Sequence, residues 1–292
     1  MWELADLLIS LVFYGTAYGM ILYLLAVGLS VTLGLMRVVN LAHGVFAMAG
    51  GYVTVTAMSR FGWPFLAAVL AGVVVVGLLG VALERTLYRR LYSAPILEQV
   101  LFSIGLIFIA IAAARYFFGP LAQPIDLPAW LSTRLDIGIG VFPAYRVFLI
   151  GVGGMVALAI GMAIDGTRFG ASIRAAVDNR RMAESVGINV SRVFTLSFAL
   201  GTALAALGGS LGADLLPIYP GYPNDYLVYL LIVVAVAGLG NIRGALYVAL
   251  AFGITDTTIR YFLPDVGRVL ILLLVMAVLF RHPHGFAPKT QA

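Results

Sequence analysis

The chain has 292 residues, of which 62% are hydrophobic and only 11% charged, with a formal net charge of +5 and no cysteine. A soluble domain carries about 45–50% apolar and about 25% charged residues, so a mean hydropathy of +1.04 excludes an ordinary soluble enzyme, a disordered chain and a fibrous protein. Disulfides, thiolate metal sites and cysteine nucleophiles are excluded outright, and the basic excess needs no nucleic acid, because arginines in cytoplasmic loops of a membrane protein produce it too.

The expected class is an all-α polytopic membrane helix bundle, a single domain over residues 1–292. Met1-Trp2-Glu3-Leu4-Ala5-Asp6 carries two acids and no positive n-region, so the first apolar stretch reads as a retained span and not as a secretory signal. Runs free of Asp, Glu, Lys, Arg and His cover Leu7–Met36, Gly44–Ser59, Phe61–Leu83, Gln99–Ala114, Val147–Ile164, Val193–Ala213, Tyr226–Ile242, Gly244–Thr255 and Val269–Phe280. They predict eight or nine spans, with the number open at the C-terminal end. At 1.5 Å per residue, Leu7–Met36 would reach about 45 Å against a hydrocarbon core of about 30 Å. Either the helix tilts, or its last part is a separate broken segment; Gly28, Gly34 and Gly44 favour the break.

Arginine placement orients the bundle. Arg85, Arg89 and Arg90 follow the third run, and Arg168, Arg174, Arg180, Arg181 and Arg192 follow the fifth. Two spans separate these segments, so both fit the cytoplasmic side. With nine spans the N-terminus is outside and the C-terminus inside, and most basic residues, including Arg37, Arg243, Arg281 and Lys289, fall inside. Two proline-rich outer segments, Gly119–Ala144 and Asp214–Asp225, suit the docking of a soluble partner or serve as plain connections.

Three segments carry functional signal. In the first, Arg37, Asn40 and His43 sit between two apolar runs with no ordinary polar loop, followed by Gly44, Gly50, Gly51 and Tyr52. Polar groups at that place belong to a discontinuous helix lining a permeation path, or to a tight inner turn in which Arg37 snorkels and His43 caps a helix. The second, Asp165–Arg192, is the most polar stretch and predicts an amphipathic helix with an apolar stripe of Ile173, Ala176, Val177, Met182, Ala183 and Val186, ending at Gly187. It would lie on anionic membrane lipid or in a groove of a partner, and Asp178 and Glu184 fit a protein partner better. The third is Gly238–Ala245, a Gly-rich turn containing Arg243.

Other chemistry is missing. No G-x-x-x-x-G-K-[ST] occurs, so the chain hydrolyses no ATP. No metal-ligand or catalytic motif is present, and His282 and His284 read as part of a basic tail. Asp256 is the main acid inside an apolar stretch, and its expected partner is Arg260, one helical turn on.

GLMRVVNLAHGVFAMAGGY, RAAVDNRRMAESVGINVSRV, and PIYPG followed by AGLGNIRGA together resemble the permease subunits of branched-chain amino acid ABC importers. The resemblance covers roughly residues 15–280, and length and the NLAHG form resemble the shorter of the two paired permeases. It implies a bacterial-type inner-membrane importer without cofactor. Its partners would be a second homologous permease, two cytoplasmic ATPase subunits and a periplasmic binding protein. Arg174, Ala175, Ala176, Asp178, Ala183, Glu184 and Gly187 match the family's coupling segment and would meet the ATPase. Arg243 departs from the small or proline residue expected after GLGNI. Asn40, His43, Gly44 and Tyr52 are the candidate substrate-pathway residues. Urea, short amides and aromatic acids are the alternative substrates; a stand-alone channel or secondary carrier is the alternative class.

Overall fold

Each uncharged run supplies the body of one helix in the computed structural model, which describes residues 2–36, 40–92, 94–136, 138, 140–283 and 285–286. Arg37, His284 and Lys289 lie outside the described residues. The helices are α1 (Trp2–Met36), α2 (His43–Phe61), α3 (Phe65–Leu83), α4 (Arg89–Leu91), α5 (Ile96–Phe118), α6 (Ala144–Gly166), α7 (Arg168–Asp178), α8 (Arg180–Ser185), α9 (Val190–Gly212), α10 (Tyr222–Ala237), α11 (Ile242–Phe262) and α12 (Gly267–Arg281). Five of them, α1, α3, α5, α6 and α9, are long and apolar enough to cross a membrane.

The first run does not break where its glycines suggested. α1 is continuous over 35 residues, about 52 Å at 1.5 Å per residue. Gly28 instead serves helix packing. It faces Gly201 of α9, and a Cβ at either position would meet the other helix's backbone. Small residues let two helices approach closely, which is the main route to tight packing when the surrounding solvent is lipid. The same device holds α9 on α2, where Gly209 abuts the Ala47 backbone.

α9 and α1 form the centre. In the most apolar stretch of α9, 61% of residues are buried, against 17% for α5, which lies at the periphery. α1 packs on α11, α9, α6 and α10, while α2 and α3 pack on α9 and on each other. Thr54 of α2 donates to Ser210 of α9 at 2.8 Å, so a polar pair sits inside that interface.

The bundle has two distinct ends. One carries α4, α7, α8 and the Gly238–Asn241 turn, and is called the basic end here. The other carries a small hairpin, β1 (Arg134–Asp136) and β2 (Val141–Pro143), paired with Leu135 opposite Phe142. Phe142 stacks on Phe13 of α1, with centroids 4.0 Å apart. Gln123 N–H donates to the Ile218 carbonyl at 2.9 Å, joining the two proline-rich segments at this hairpin end.

Candidate functional site

At the basic end, three side chains punctuate the polar segment. Thr167 caps α7 by accepting from Gly170 N–H, Asn179 caps α8 by accepting from Met182 N–H, and Asn189 caps α9 by accepting from Arg192 N–H. Thr and Asn favour this position because their short oxygens satisfy a donor with no partner inside the helix. The expected single amphipathic helix is therefore two helices, broken at Asn179. Its stripe divides accordingly. Ile173, Ala176 and Ala183 are buried against the bundle, whereas Met182 and Val186 are 62% and 70% exposed.

The remaining coupling candidates lie on this surface. Arg174 is exposed and donates back to the Ile164 carbonyl. Ala175 is half-buried, and Asp178 is exposed. Glu184 is exposed and pairs with Arg180 at 3.0 Å, one turn away. Gly187 ends α8 with φ +86°, open space where a Cβ would sit, and its N–H bonded to the Glu184 carbonyl. The neighbouring Gly238–Asn241 turn meets α6 through an ion pair between Arg243 and Asp165. Arg243, which stands where a small residue was expected, thus ties the start of α11 to the end of α6 beside α7.

Asn40, His43 and Gly44 come together where α2 begins. The Asn40 Oδ1 accepts from the Tyr88 hydroxyl at 2.9 Å and from Ala42 N–H at 3.1 Å. The His43 Nε2 lies 3.1 Å from the Leu25 carbonyl and donates to it, which leaves Nδ1 without a partner. Gly44 lies against Pro223 of α10. Asn40 and His43 are fully enclosed by protein. Tyr52 lies nine residues past His43, about 13 Å along α2. It stacks on Phe118 at 4.1 Å and lines an apolar cleft of about 680 Å³ between α2, α3 and α5.

The sequence reading passed over Glu84. It opens a π-helical turn, Glu84–Tyr88, that continues α3. Its carboxylate is fully buried and accepts from Tyr92 Oη at 2.7 Å and Thr195 Oγ1 at 2.6 Å, with Arg89 Nε at 3.6 Å. The charge falls at the end of an apolar run, where it reads as loop; only the wide turn brings it back into the bundle. Replacing Glu84 with Ala should remove about 2–3 kcal/mol of stability by deleting hydrogen bonds to a charged group. A lower midpoint of thermal inactivation in detergent checks this, and an unchanged midpoint contradicts it.

At the hairpin end, α1, α6, α10, α11, α12 and the Asp214–Leu216 stretch line an open polar cavity of about 560 Å³. Asp256 and Arg260 pair there at 2.7 Å, as their spacing predicted. The Tyr229 hydroxyl accepts from Arg260 at 3.3 Å and Arg268 at 3.4 Å. The Arg146 guanidinium lies over the Tyr14 ring, 4.7 Å from its centroid. Among the described residues no group of three or more His, Cys, Asp or Glu could hold a metal ion.

A helical bundle with several helices long and apolar enough to cross a membrane is that of a multi-pass membrane protein. Residues 11–279 match the family described as the permease component of branched-chain amino acid transport systems, and the chain belongs to that family. It is 28% identical to a probable branched-chain amino acid transport permease protein LivH of Methanocaldococcus jannaschii, over 92% of this chain and 89% of the relative. It is 27% identical to the high-affinity branched-chain amino acid permease protein LivH of Escherichia coli K12, over 91% of this chain and 92% of the relative. The corresponding BraD protein of Pseudomonas aeruginosa is 26% identical over 95% of this chain and 94% of the relative. No solved structure is significantly similar to the chain.

Proposed function

We propose that the chain is the membrane-spanning permease subunit of an ATP-driven ABC importer that translocates leucine, isoleucine and valine delivered by a periplasmic binding protein. The observation that carries this is α8. Two large apolar side chains, Met182 and Val186, stand exposed on a short capped helix ending in Gly187, among arginines and acids, in a chain of this permease family. Exposed apolar side chains among charges on a capped surface helix suit the apolar groove of a soluble ATPase.

In this reading the basic end is cytoplasmic, since arginine-rich segments are retained there. The nine helices of 15 or more residues among the described residues are the spans, with the N-terminus outside and the C-terminus inside. Lipid and a second homologous permease cover the apolar faces, in a bacterial inner membrane. Two ATPase subunits take Arg174–Gly187. Closure of the ATPase dimer then moves α7 and α8, and through the Arg243–Asp165 pair and the Asn189 cap the motion reaches α6, α11 and α9. Asn40, His43, Gly44 and Tyr52 form the inner stretch of the pathway. They are sealed in this conformation, and the unpartnered Asn40 Nδ2, His43 Nδ1 and Tyr52 Oη support a second state in which these atoms meet water or substrate.

The test is leucine uptake into proteoliposomes holding this permease with its companion permease, ATPases and binding protein, with urea and benzoate as competitors. ATP-dependent uptake that only branched-chain amino acids compete for is the expected result. Competition by urea or benzoate alone would move the substrate within the family, and uptake by this chain without ATPase would overturn the reading. Glu184→Lys should reduce uptake about tenfold while the permease still folds, because it breaks the Arg180 pair and reverses a charge facing the partner. Unchanged uptake would remove α8 from the coupling path.

A further inference from the structure

The polar cavity at the hairpin end is unusual in its charge balance. Three arginines (Arg146, Arg260 and Arg268) and three aspartates (Asp214, Asp225 and Asp256) line it. An anion site would carry excess positive charge and a cation site excess negative; this one carries neither. Its partners are also incompletely used. Asp256 is 2% exposed, and only its Oδ2 is paired; Oδ1 has no partner. Arg146 rests on the Tyr14 ring, and among the described residues no carboxylate lies within ion-pair distance of it. A buried carboxylate oxygen with no donor is costly, and a protein keeps one where something else supplies the donor.

The place matters too. Arg146 begins α6 and Asp165 ends it, so at 1.5 Å per residue the cavity stands about 28 Å from the Arg243–Asp165 pair, close to one hydrocarbon thickness. Asp256 lies six residues before the end of α11, about 9 Å below it. The volume falls within the ~300–1,000 Å³ of small-molecule sites.

We propose that this cavity is a subsite for the zwitterionic head group of a free α-amino acid, with the Asp256 carboxylate taking the ammonium and the Arg146 guanidinium the carboxylate. The proposal rests on the importer reading above and deepens it. The subsite grips what all α-amino acids share and leaves the side chain against Tyr14, Leu215 and Leu216. It therefore holds leucine, isoleucine and valine alike, and discrimination among tails belongs to the binding protein. Loose holding also suits a passage site, since a tight one would arrest transport.

The chain has no cysteine, so Thr257→Cys places a single reporter on the cavity wall. The measurement is the rate at which a charged maleimide labels that permease in the assembled importer, without binding protein. A site with a dissociation constant of about 1 mM is about three-quarters filled by 3 mM L-leucine, which slows labelling about fourfold. Leucinamide, which lacks the carboxylate, and 4-methylpentanoate, which lacks the ammonium, should leave the rate unchanged. Asp256→Asn and Arg146→Gln should each abolish protection by leucine. If Asp256→Asn fails to fold because Arg260 loses its partner, Arg146→Gln and the two analogues carry the test alone. Labelling unaffected by leucine, in an importer whose parent form still takes leucine up, overturns the subsite and leaves the importer standing. Equal protection by all three compounds overturns head-group recognition. Protection by leucine in an assembly that imports none supports the subsite and overturns the importer.

Discussion

A permease carrying Gly187→Val should reach the membrane in normal amount, yet support leucine uptake at about a tenth of the parental rate or less. The reason is local. Gly187 has φ +86°, a conformation that costs an L-residue roughly 1–2 kcal/mol and a β-branched one more. The space around it is open, so the added side chain meets nothing in the bundle and the spans are left as they are. The strain is relieved by unwinding the end of α8. That displaces Val186 and Glu184 and frees the Ile188 N–H from the Ala183 carbonyl, a bond of 3.0 Å. The surface offered to the ATPase then loses its shape. Gly187→Asn is the control, because Asn tolerates positive φ far better. Uptake retained in the Asn variant and lost in the Val variant identifies backbone conformation as the cause. Equal uptake in all three forms would mean that the end of α8 carries no motion.

Gly209→Leu should have the larger effect on the fold itself, with no monodisperse permease recovered in mild detergent. A Cβ at 209 would sit on the Ala47 backbone, and no side-chain rotation relieves a clash with main chain. Overpacking in a well-filled core costs about 1–3 kcal/mol where side chains can shift. Here α2 and α9 must separate instead, breaking the Thr54–Ser210 pair and the approach of Gly50 to Ala206. Gly105→Leu is the matched control: it lies on peripheral α5 with open space where its Cβ would sit, and it should leave recovery unchanged. Normal recovery of the Gly209→Leu form would show that the interface is plastic.

Gly187 also marks where the sequence was legible. Uncharged runs located the body of every long helix, because apolar side chains dominate the stretch that lies in lipid, while charges such as Asp256 and Arg260 of α11 fall towards a helix end. The Asp256–Arg260 pair followed from its four-residue spacing, and the end of α8 from Gly187. The glycines of α1 misled, since Gly28 can break a helix or admit a neighbour, and only the presence of Gly201 opposite decides between them. The split at Asn179 was readable in principle: Asn before Arg-Arg-Met is a cap signal, but the apolar spacing on both sides hid it. Glu84 and the cavity at the hairpin end were out of reach. Arg146, the Asp214–Asp225 segment and Asp256 are three separate stretches, and nothing local to any of them announces the others.

The π-helical turn at Glu84–Tyr88 has a consequence for chain length. Such a turn is an α-helix with one residue too many, and an α-helix advances about 100° per residue. Deleting one residue from it would restore regular geometry and good local propensity. Keeping all five residues in regular α geometry would instead rotate everything that follows by about that angle relative to α3. Glu84 and Tyr88 could then no longer reach Thr195 and Asn40 together, although every side chain in both pairs would still be present. At this point the fold depends on a count of residues as much as on their identity.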